Sequence, residues 1–423
     1  MNKSIWEEYL NNKKYNSVEE NMETDVLVIG GGIAGILISR KLQDNNIRTI
    51  LLEKDRIGLG NTCKTTAFLS VQHETLYQDL GPEKARVYLN LNKRALNEYK
   101  ELSKKYDFDY EEVDSCLFSE DPEIIKNEYD CLKSLDEDVY LKENIPYEGH
   151  STGICFRNQA IINPIKFINQ VSAGLNIYEN SEVIKLRSNY ALLKNGRKVK
   201  FKWVVIATHY PMVNILNLQS LKLTQRKSYV VLVKNGYVDA TYCSIDEDGM
   251  YYRMYKDYLL IGGNDKDTGT YCLSDFTNIV LNKFNLEEKD IIYSWCGQDT
   301  ITLDGIPYIG KSSFLYPNHI IVTGFNLWGF TWAMASSNIV LNIIKDGIEC
   351  NLTKPSRFFV NKNLFKNIKN SFVNLVNFRK PRCTHLGCGL VYNEKEGIYE
   401  CPCHGSIYDR NGNLVEGPAK KDL

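Results

Sequence analysis

The sequence predicts an α/β plus β fold: a nucleotide-binding α/β domain, an antiparallel-sheet domain joined to it, and a small C-terminal unit. Three observations predict it. A short apolar strand, a glycine-rich turn and an apolar helix follow one another from Asp25 to Leu42. Alternating Tyr, Val and Leu runs, broken by turn residues, fill Ser228 to Gly263. Four of the twelve cysteines crowd into the 21 positions from Cys383 to Cys403.

Length and charge bound the rest. At 423 residues the chain exceeds one ordinary hydrophobic core, so two or three domains are expected. With 43% hydrophobic and 24% charged residues the composition is that of a globular protein. A net charge of −1 gives no reason to expect nucleic acid or an anionic membrane as partner. No stretch reaches the roughly 18 apolar residues of a membrane span, and the start lacks the apolar core of a signal peptide. A cytoplasmic location is expected. The eight cysteines scattered between Cys63 and Cys350 are expected to stay free thiols.

Each element is justified in chain order. After a polar leader to about Glu23, Asp25 to Ile29 reads as a buried strand. A helical apolar pattern runs from Ile33 to Leu42 and stops at Asn45-Asn46. Arg48 to Leu52 is a second strand, which closes a β–α–β unit. Residues 74 to 143, rich in Glu, Lys, Leu and Tyr, read as a helical insertion. Residues 177 to 207 read as short strands ending in Trp203-Val204-Val205-Ile206-Ala207. Strand Ile320-Ile321-Val322 leads through Gly324 into a helix from about Gly329 to Ile344. The stretch 351–379, basic and poor in acids, reads as a connector.

The glycines form the pattern Gly30-x-Gly32-x-x-Gly35 between a buried strand and an apolar helix. The first allows a tight turn, the second lets backbone approach a pyrophosphate, and the third brings helix against strand. The helix start, at Ile33 and Ala34, then faces the phosphate with its partial positive charge. Glu53 stands 23 residues beyond Gly30, where an acid bonds ribose hydroxyls or simply lies on the surface. These residues predict a Rossmann-like dinucleotide site. Distant segments decide the cofactor. A second glycine turn, Thr323-Gly324-Phe325-Asn326-Leu327-Trp328-Gly329-Phe330-Thr331, and the segment Ala207-Thr208-His209 belong to the same domain. One site assembled from three remote pieces resembles the D-amino-acid-oxidase-like flavoproteins, the family of glycine and sarcosine oxidases. Gly60-Asn61-Thr62-Cys63-Lys64-Thr65-Thr66-Ala67 resembles that family's pyrophosphate loop, with Cys63 where glycine is common. Trp295 to Asp299 and Leu303 to Gly310 resemble its segment before the last strand. The resemblance covers roughly residues 22 to 350 and implies FAD, held through Gly30, Gly32, Ile33, Ala34, Gly35, Glu53, Thr65, Thr66, Gly324, Gly329 and Thr331.

The C-terminus pairs Cys383-x-His385 with Cys401-x-x-His404. Two thiolates and two imidazoles are the ligand set of a Rieske [2Fe–2S] cluster; a Cys2His2 zinc site uses the same residue types. Zinc motifs usually open with Cys-x-x-Cys, and zinc would leave Cys388 and Cys403 without a role. The segment resembles the Rieske domains of cytochrome-bc1-type proteins. That resemblance implies a small β domain with a Cys388–Cys403 disulfide. It also implies hydroxyls of Ser406 and Tyr408 bonded to the cluster sulfurs, and a covering loop at Gly417-Pro418-Ala419. Such bonds raise the cluster potential. The stub, 380–423, is short enough to lean on the flavin domain, 22–350.

The substrate sheet is expected at about 210–300. Within it Arg253 is the candidate for a substrate carboxylate or for a surface ion pair. His73 faces the flavin ring or is a satisfied, partly buried histidine. The overall resemblance is to bacterial FAD-dependent oxidoreductases with a C-terminal Rieske domain. It implies an amine or amino acid as substrate and a one-electron acceptor, protein or small molecule, as outlet. The alternative is a non-catalytic flavin and iron–sulfur module that relays electrons or senses redox state.

Overall fold

The computed structural model describes residues 3–11, 13–149, 151–211, 219–268, 272–357, 364, 365, 367, 369 and 380–423. Most of the expected connector, at 358–363, 366, 368 and 370–379, lies outside the described residues.

Strand Met22–Ile29 sits in the middle of a sheet ordered Tyr308–Lys311, His319–Thr323, Lys198–Ile206, Met22–Ile29, Thr49–Leu52, Ile177–Tyr178. In this row all but the Tyr308–Lys311 edge run parallel, and a hairpin of Val183–Leu186 and Tyr190–Leu193 joins Lys198–Ile206 antiparallel. Parallel strands are covered on both faces, which is why Val26 to Ile29 are all buried. Helices Ile33–Asp44 and Gly329–Asp346 cover one face together. The other face packs against Val18, Val183, Ala191 and Leu193.

A nine-stranded second sheet carries the expected antiparallel segment as Leu223–Val233, Thr241–Ser244, Met250–Tyr255, Tyr258–Asp267 and Ile291–Thr302. The expected helical insertion is only partly helical. Helices Leu76–Leu80, Pro82–Ser103 and Pro122–Ser134 alternate with strands Glu111–Ser119 and Val139–Glu143 of this sheet. Ser115 to Ser119 are buried without a gap, a pattern that a strand inside a covered sheet produces and a surface helix does not. Cys116 stands opposite Cys155 in register, and the two form a disulfide. The expectation of free thiols therefore fails for this pair, because register places them face to face. It holds for the other six scattered cysteines.

The C-terminal stub forms a four-stranded antiparallel sheet, Val391–Asn393, Ile398–Glu400, Ile407–Asp409 and Leu414–Glu416. Its small core is built around Cys383, Cys388, Leu390, Cys401, Cys403 and Tyr408. Among the described residues no helix is long and apolar enough to cross a membrane.

Candidate functional site

The glycine turn closes at the tip of the central strand. A Cβ on Gly35 would stand 1.9 Å from the Gly30 carbonyl oxygen, and one on Gly30 would stand 2.4 Å from that of Ala207. Only glycine lets helix, turn and neighbouring strand meet this closely. Gly32 caps helix Ile33–Asp44 with no side-chain hydrogen bond, and a Cβ there would meet only the Thr62 hydroxyl, at 3.2 Å. The second glycine turn likewise delivers helix Gly329–Asp346 with no side-chain cap. The first helix start receives only the Thr62 hydroxyl, which accepts from Ile33 N at 3.0 Å, and the second has no side-chain cap; two such starts behind glycine turns fit a dinucleotide pyrophosphate. Glu53 accepts from Gly31 N at 2.7 Å and Asp55 N at 2.9 Å, and burial pushes its carboxyl upward. It braces the turn against the second strand.

The pyrophosphate-type loop is braced by side chains that the sequence reading did not connect with it. Trp6, in the expected polar leader, is fully buried and donates to the Thr65 carbonyl at 2.7 Å. Arg253 donates to the carbonyls of Thr66 at 2.6 Å, Ala67 at 2.9 Å and Ile162 at 3.4 Å, and through Nε to Met254 at 3.1 Å. It is 1% exposed and lies beside the rings of Trp6 and Tyr255. Arg253 is thus neither a substrate ligand nor a surface ion pair: its donors are committed to these backbone carbonyls. His73 is likewise committed. Its Nδ1 is 2.7 Å from the Tyr88 hydroxyl and its Nε2 is 2.8 Å from the Ser70 carbonyl. Thr331 Oγ1 also lies 3.2 Å from Nε2. Burial drives its pKa down to about 3, and Trp328 stacks over the ring at 4.7 Å. It is a satisfied core histidine behind the site, and Thr331 serves it there.

In front of Trp328 lies a cavity of about 510 Å³. Its walls are Thr65 and Thr66 of the loop, Leu327 and Trp328 of the second glycine turn, and one face of the antiparallel sheet. That face presents Arg226, Ser228, Tyr251, Asp265, Asp267 and Asp299. Arg226 stands opposite Asp299 on one side and Asp267 on the other. Asp265 has a buried Oδ1 that accepts no hydrogen bond. Burial, then Asp299 and Glu74, push its carboxyl up to about 7, while Arg226 pulls the other way. The sequence signal for Arg226 was its alternation with Ser228 and Val230, which share one pleat face.

The two cluster loops fold alike. Gly387 N donates to the Cys383 carbonyl and Gly405 N to that of Cys401, both at 2.9 Å. Cys383 N and Cys401 N donate to the carbonyls five residues on, Cys388 at 2.9 Å and Ser406 at 2.8 Å. The turns require φ of 78° at Gly387 and 74° at Gly405. His385 and His404 meet with ring centroids 5.1 Å apart and planes at 86°. The Cys388 and Cys403 sulfurs, which the resemblance pairs as a disulfide, lie within 4.8 Å of each other and are not joined in this structure. Cys401 stands with them, the three sulfurs all within 4.8 Å of one another. The Tyr408 hydroxyl is 3.5 Å from Cys383 Sγ and accepts from Thr384 N at 3.1 Å. Ser406 is fully buried, and its Oγ accepts from Ala419 N at 3.2 Å, so Gly417-Pro418-Ala419 folds over the second loop. Two cysteines and two perpendicular imidazoles fit a Rieske cluster.

A Rossmann-type cofactor site open to a sheet-lined cavity, with a two-cysteine, two-histidine loop pair beside it, defines a flavin oxidoreductase that carries an iron–sulfur centre. The comparisons agree. Residues 25–342 match the FAD dependent oxidoreductase family, DAO, and residues 369–423 match the Rieske [2Fe-2S] domain. The chain belongs to the DAO family of FAD-dependent oxidoreductases, whose domain binds FAD, and its Rieske domain binds a [2Fe–2S] cluster. A Bacillus subtilis (strain 168) protein named as a Rieske 2Fe-2S iron-sulfur protein, YhfW, is 25% identical over 99% of this chain and 96% of its own. A cytochrome b6-f complex iron-sulfur subunit of Cyanophora paradoxa is 58% identical over 41 residues, 10% of this chain and 17% of that subunit. The fold is similar to L-proline dehydrogenase from P. horikoshii, with a TM-score of 0.67 at 19% identity over 80% of this chain and 98% of that one. Glycine oxidase from Geobacillus kaustophilus gives 0.67 at 17% identity, over 80% of this chain and all of that one.

Proposed function

We propose that the protein is a dehydrogenase of an amino acid or amine, and that its FAD passes electrons singly to the [2Fe–2S] cluster. The observation that carries the substrate reading is the cavity in which Arg226 and Asp265 converge in front of the second glycine turn. Arg226 offers a planar fork to a substrate carboxylate. Asp265 and Glu74 face the same space and suit an ammonium group. An amine gives up hydride only as the free base, so a carboxyl held near neutrality is matched to taking the ammonium proton. When bound, the flavin would supply the hydride acceptor for the carbon that carries the amine; the protein aims that carbon and excludes water. Gly30, Gly32, Ile33, Ala34 and Gly35 would hold the pyrophosphate from one side, Thr65 and Thr66 from the other. Glu53 would reach the ribose, and Gly324 and Gly329 would shape the second turn. Cys383, His385, Cys401 and His404 would hold the cluster. The dehydrogenases and oxidases of similar fold are named for proline and glycine, which supports an amino-acid substrate. A screen of amino acids and amines for anaerobic bleaching of the flavin tests the reading. Bleaching by a member of either class supports it; a flavin that no amine bleaches supports a relay module instead.

A further inference from the structure

The stub does not merely sit beside the flavin domain; its histidine face is turned into it. Tyr210 meets both imidazoles edge-on, with centroids 5.7 Å from His385 and 5.5 Å from His404. His404 is 3% exposed. Flavin-domain side chains also bond the backbone of the second ligand loop: Gln298 Nε2 donates to the Gly405 carbonyl at 3.1 Å and Thr268 Oγ1 to that of Cys401 at 3.0 Å. A Cβ on Gly405 would stand 2.5 Å from Gln298 Oε1, so loop and sheet are in full contact.

Charges lock the same contact. Lys227, 2% exposed in its side chain, pairs with Glu400 at 2.6 Å and Glu396 at 3.0 Å, and Glu400 is itself buried. Lys64, from the pyrophosphate loop, pairs with Glu416 at 2.6 Å. Removing either partner of a buried pair strands an uncompensated charge, so the pairing favours one docked arrangement.

The linking segment is short. Ala207 touches the Gly30 turn at one end, and Tyr210 touches the cluster imidazoles at the other. Between them, the His209 carbonyl is fixed by the hydroxyls of Thr300, at 3.4 Å, and Thr323. Burial lowers the His209 pKa, while the charges of Asp299 in the cavity and Glu416 of the stub pull it upward.

We infer that the cluster works permanently docked, with His385 and His404 held against Tyr210, so that electrons pass between the two centres within one chain through the segment His209–Tyr210. The inference rests on the reading that flavin and cluster exchange electrons. Each passage moves one electron: reduced flavin is oxidised by one electron and the iron pair is reduced by one. The flavin's proton goes to solvent, and a one-electron acceptor empties the cluster before the second passage. Tyr210 is a positioning residue, whose ring rather than whose hydroxyl makes the contact.

Full-length variants test this without a known substrate. Illuminating bound FAD with EDTA as sacrificial donor, without oxygen, reduces the flavin directly; absorbance reads the flavin and paramagnetic resonance reads the cluster. In the native protein the cluster should reduce at a rate unchanged by tenfold dilution. A mixture of Gly32→Val, lacking flavin, with His385→Ala, lacking the cluster, should leave the cluster of the first oxidised. Tyr210→Ala should slow cluster reduction at least tenfold and alter the resonance line shape, and Tyr210→Phe should restore both. Cluster reduction in the mixture at the native rate, or dilution-dependent transfer, would overturn docking. A Tyr210→Ala protein with native rate and line shape would overturn the route. Failure of every amine to bleach the flavin would instead count against the substrate reading alone.

Discussion

Two arginines separate structure from chemistry at the level of single residues. The buried Arg253 side chain ends on four backbone carbonyls, so Arg253→Ala should lower stability by about 3–5 kcal/mol and loosen FAD, seen as a fall in melting temperature and in retained flavin. Arg226 faces the cavity, so Arg226→Ala should keep FAD and melting temperature while raising the amino-acid concentration for half-maximal flavin bleaching about 100-fold. The sequence favoured Arg253 because its fork matches a carboxylate and it stands in the expected substrate sheet; its commitment to Thr66, Ala67 and Ile162 depends on contacts about 90 and 190 residues away. Asp265 carries a pH signature. Its folded pKa is raised from 3.8 to about 7, chiefly by burial, so the stability of its neutral form is present below about pH 4 and lost as pH rises through 7. Asp265→Asn should therefore gain on the order of 1–3 kcal/mol over the native protein at pH 8 and nothing at pH 4, by melting at both pH values. The same variant should bleach with amino acid at least about 100-fold more slowly and lose the rise in rate through pH 7.

At the scale of elements the sequence was most legible where one glycine pattern answers one geometry. Strand Met22–Ile29, the turn at Gly30, helix Ile33–Asp44 and strand Thr49–Leu52 follow the reading within three residues at each end. Both cluster loops were legible for the same reason, since ligand spacing and the closing glycine are local. Glu111–Ser119 was not, because an uninterrupted buried run has no period of its own and takes its structure from strand Thr152–Ile161 beside it. The leader was misread as merely polar because its buried Trp6 acts on Thr65, 59 residues away. The glycine turn makes its own prediction. In Gly32→Val the first branch carbon would fill the space before the helix start, so purified protein should contain no FAD yet keep iron and sulfide. Flavin content and metal analysis on one sample check it.

For the whole molecule, the central matter is that two redox sites share one frame. The stub is too small to hold its loops by apolar burial alone, and its core is largely the cysteines themselves. Docking on the sheet through Lys227, Gln298 and Thr268 supplies the rest, and it sets the cluster beside the segment that borders the flavin site. Lys227→Met should remove the cation paired with Glu400 and Glu396 and speed hydrogen exchange at Gly405 and Ser406, while FAD stays bound. The relay itself is tested most directly by anaerobic reduction with an amino acid that bleaches the flavin, with absorbance and paramagnetic resonance followed together. The flavin should bleach first and a Rieske signal should then grow, approaching one reduced cluster per chain. A cluster that stays oxidised beside fully reduced flavin for many turnover times would contradict the account.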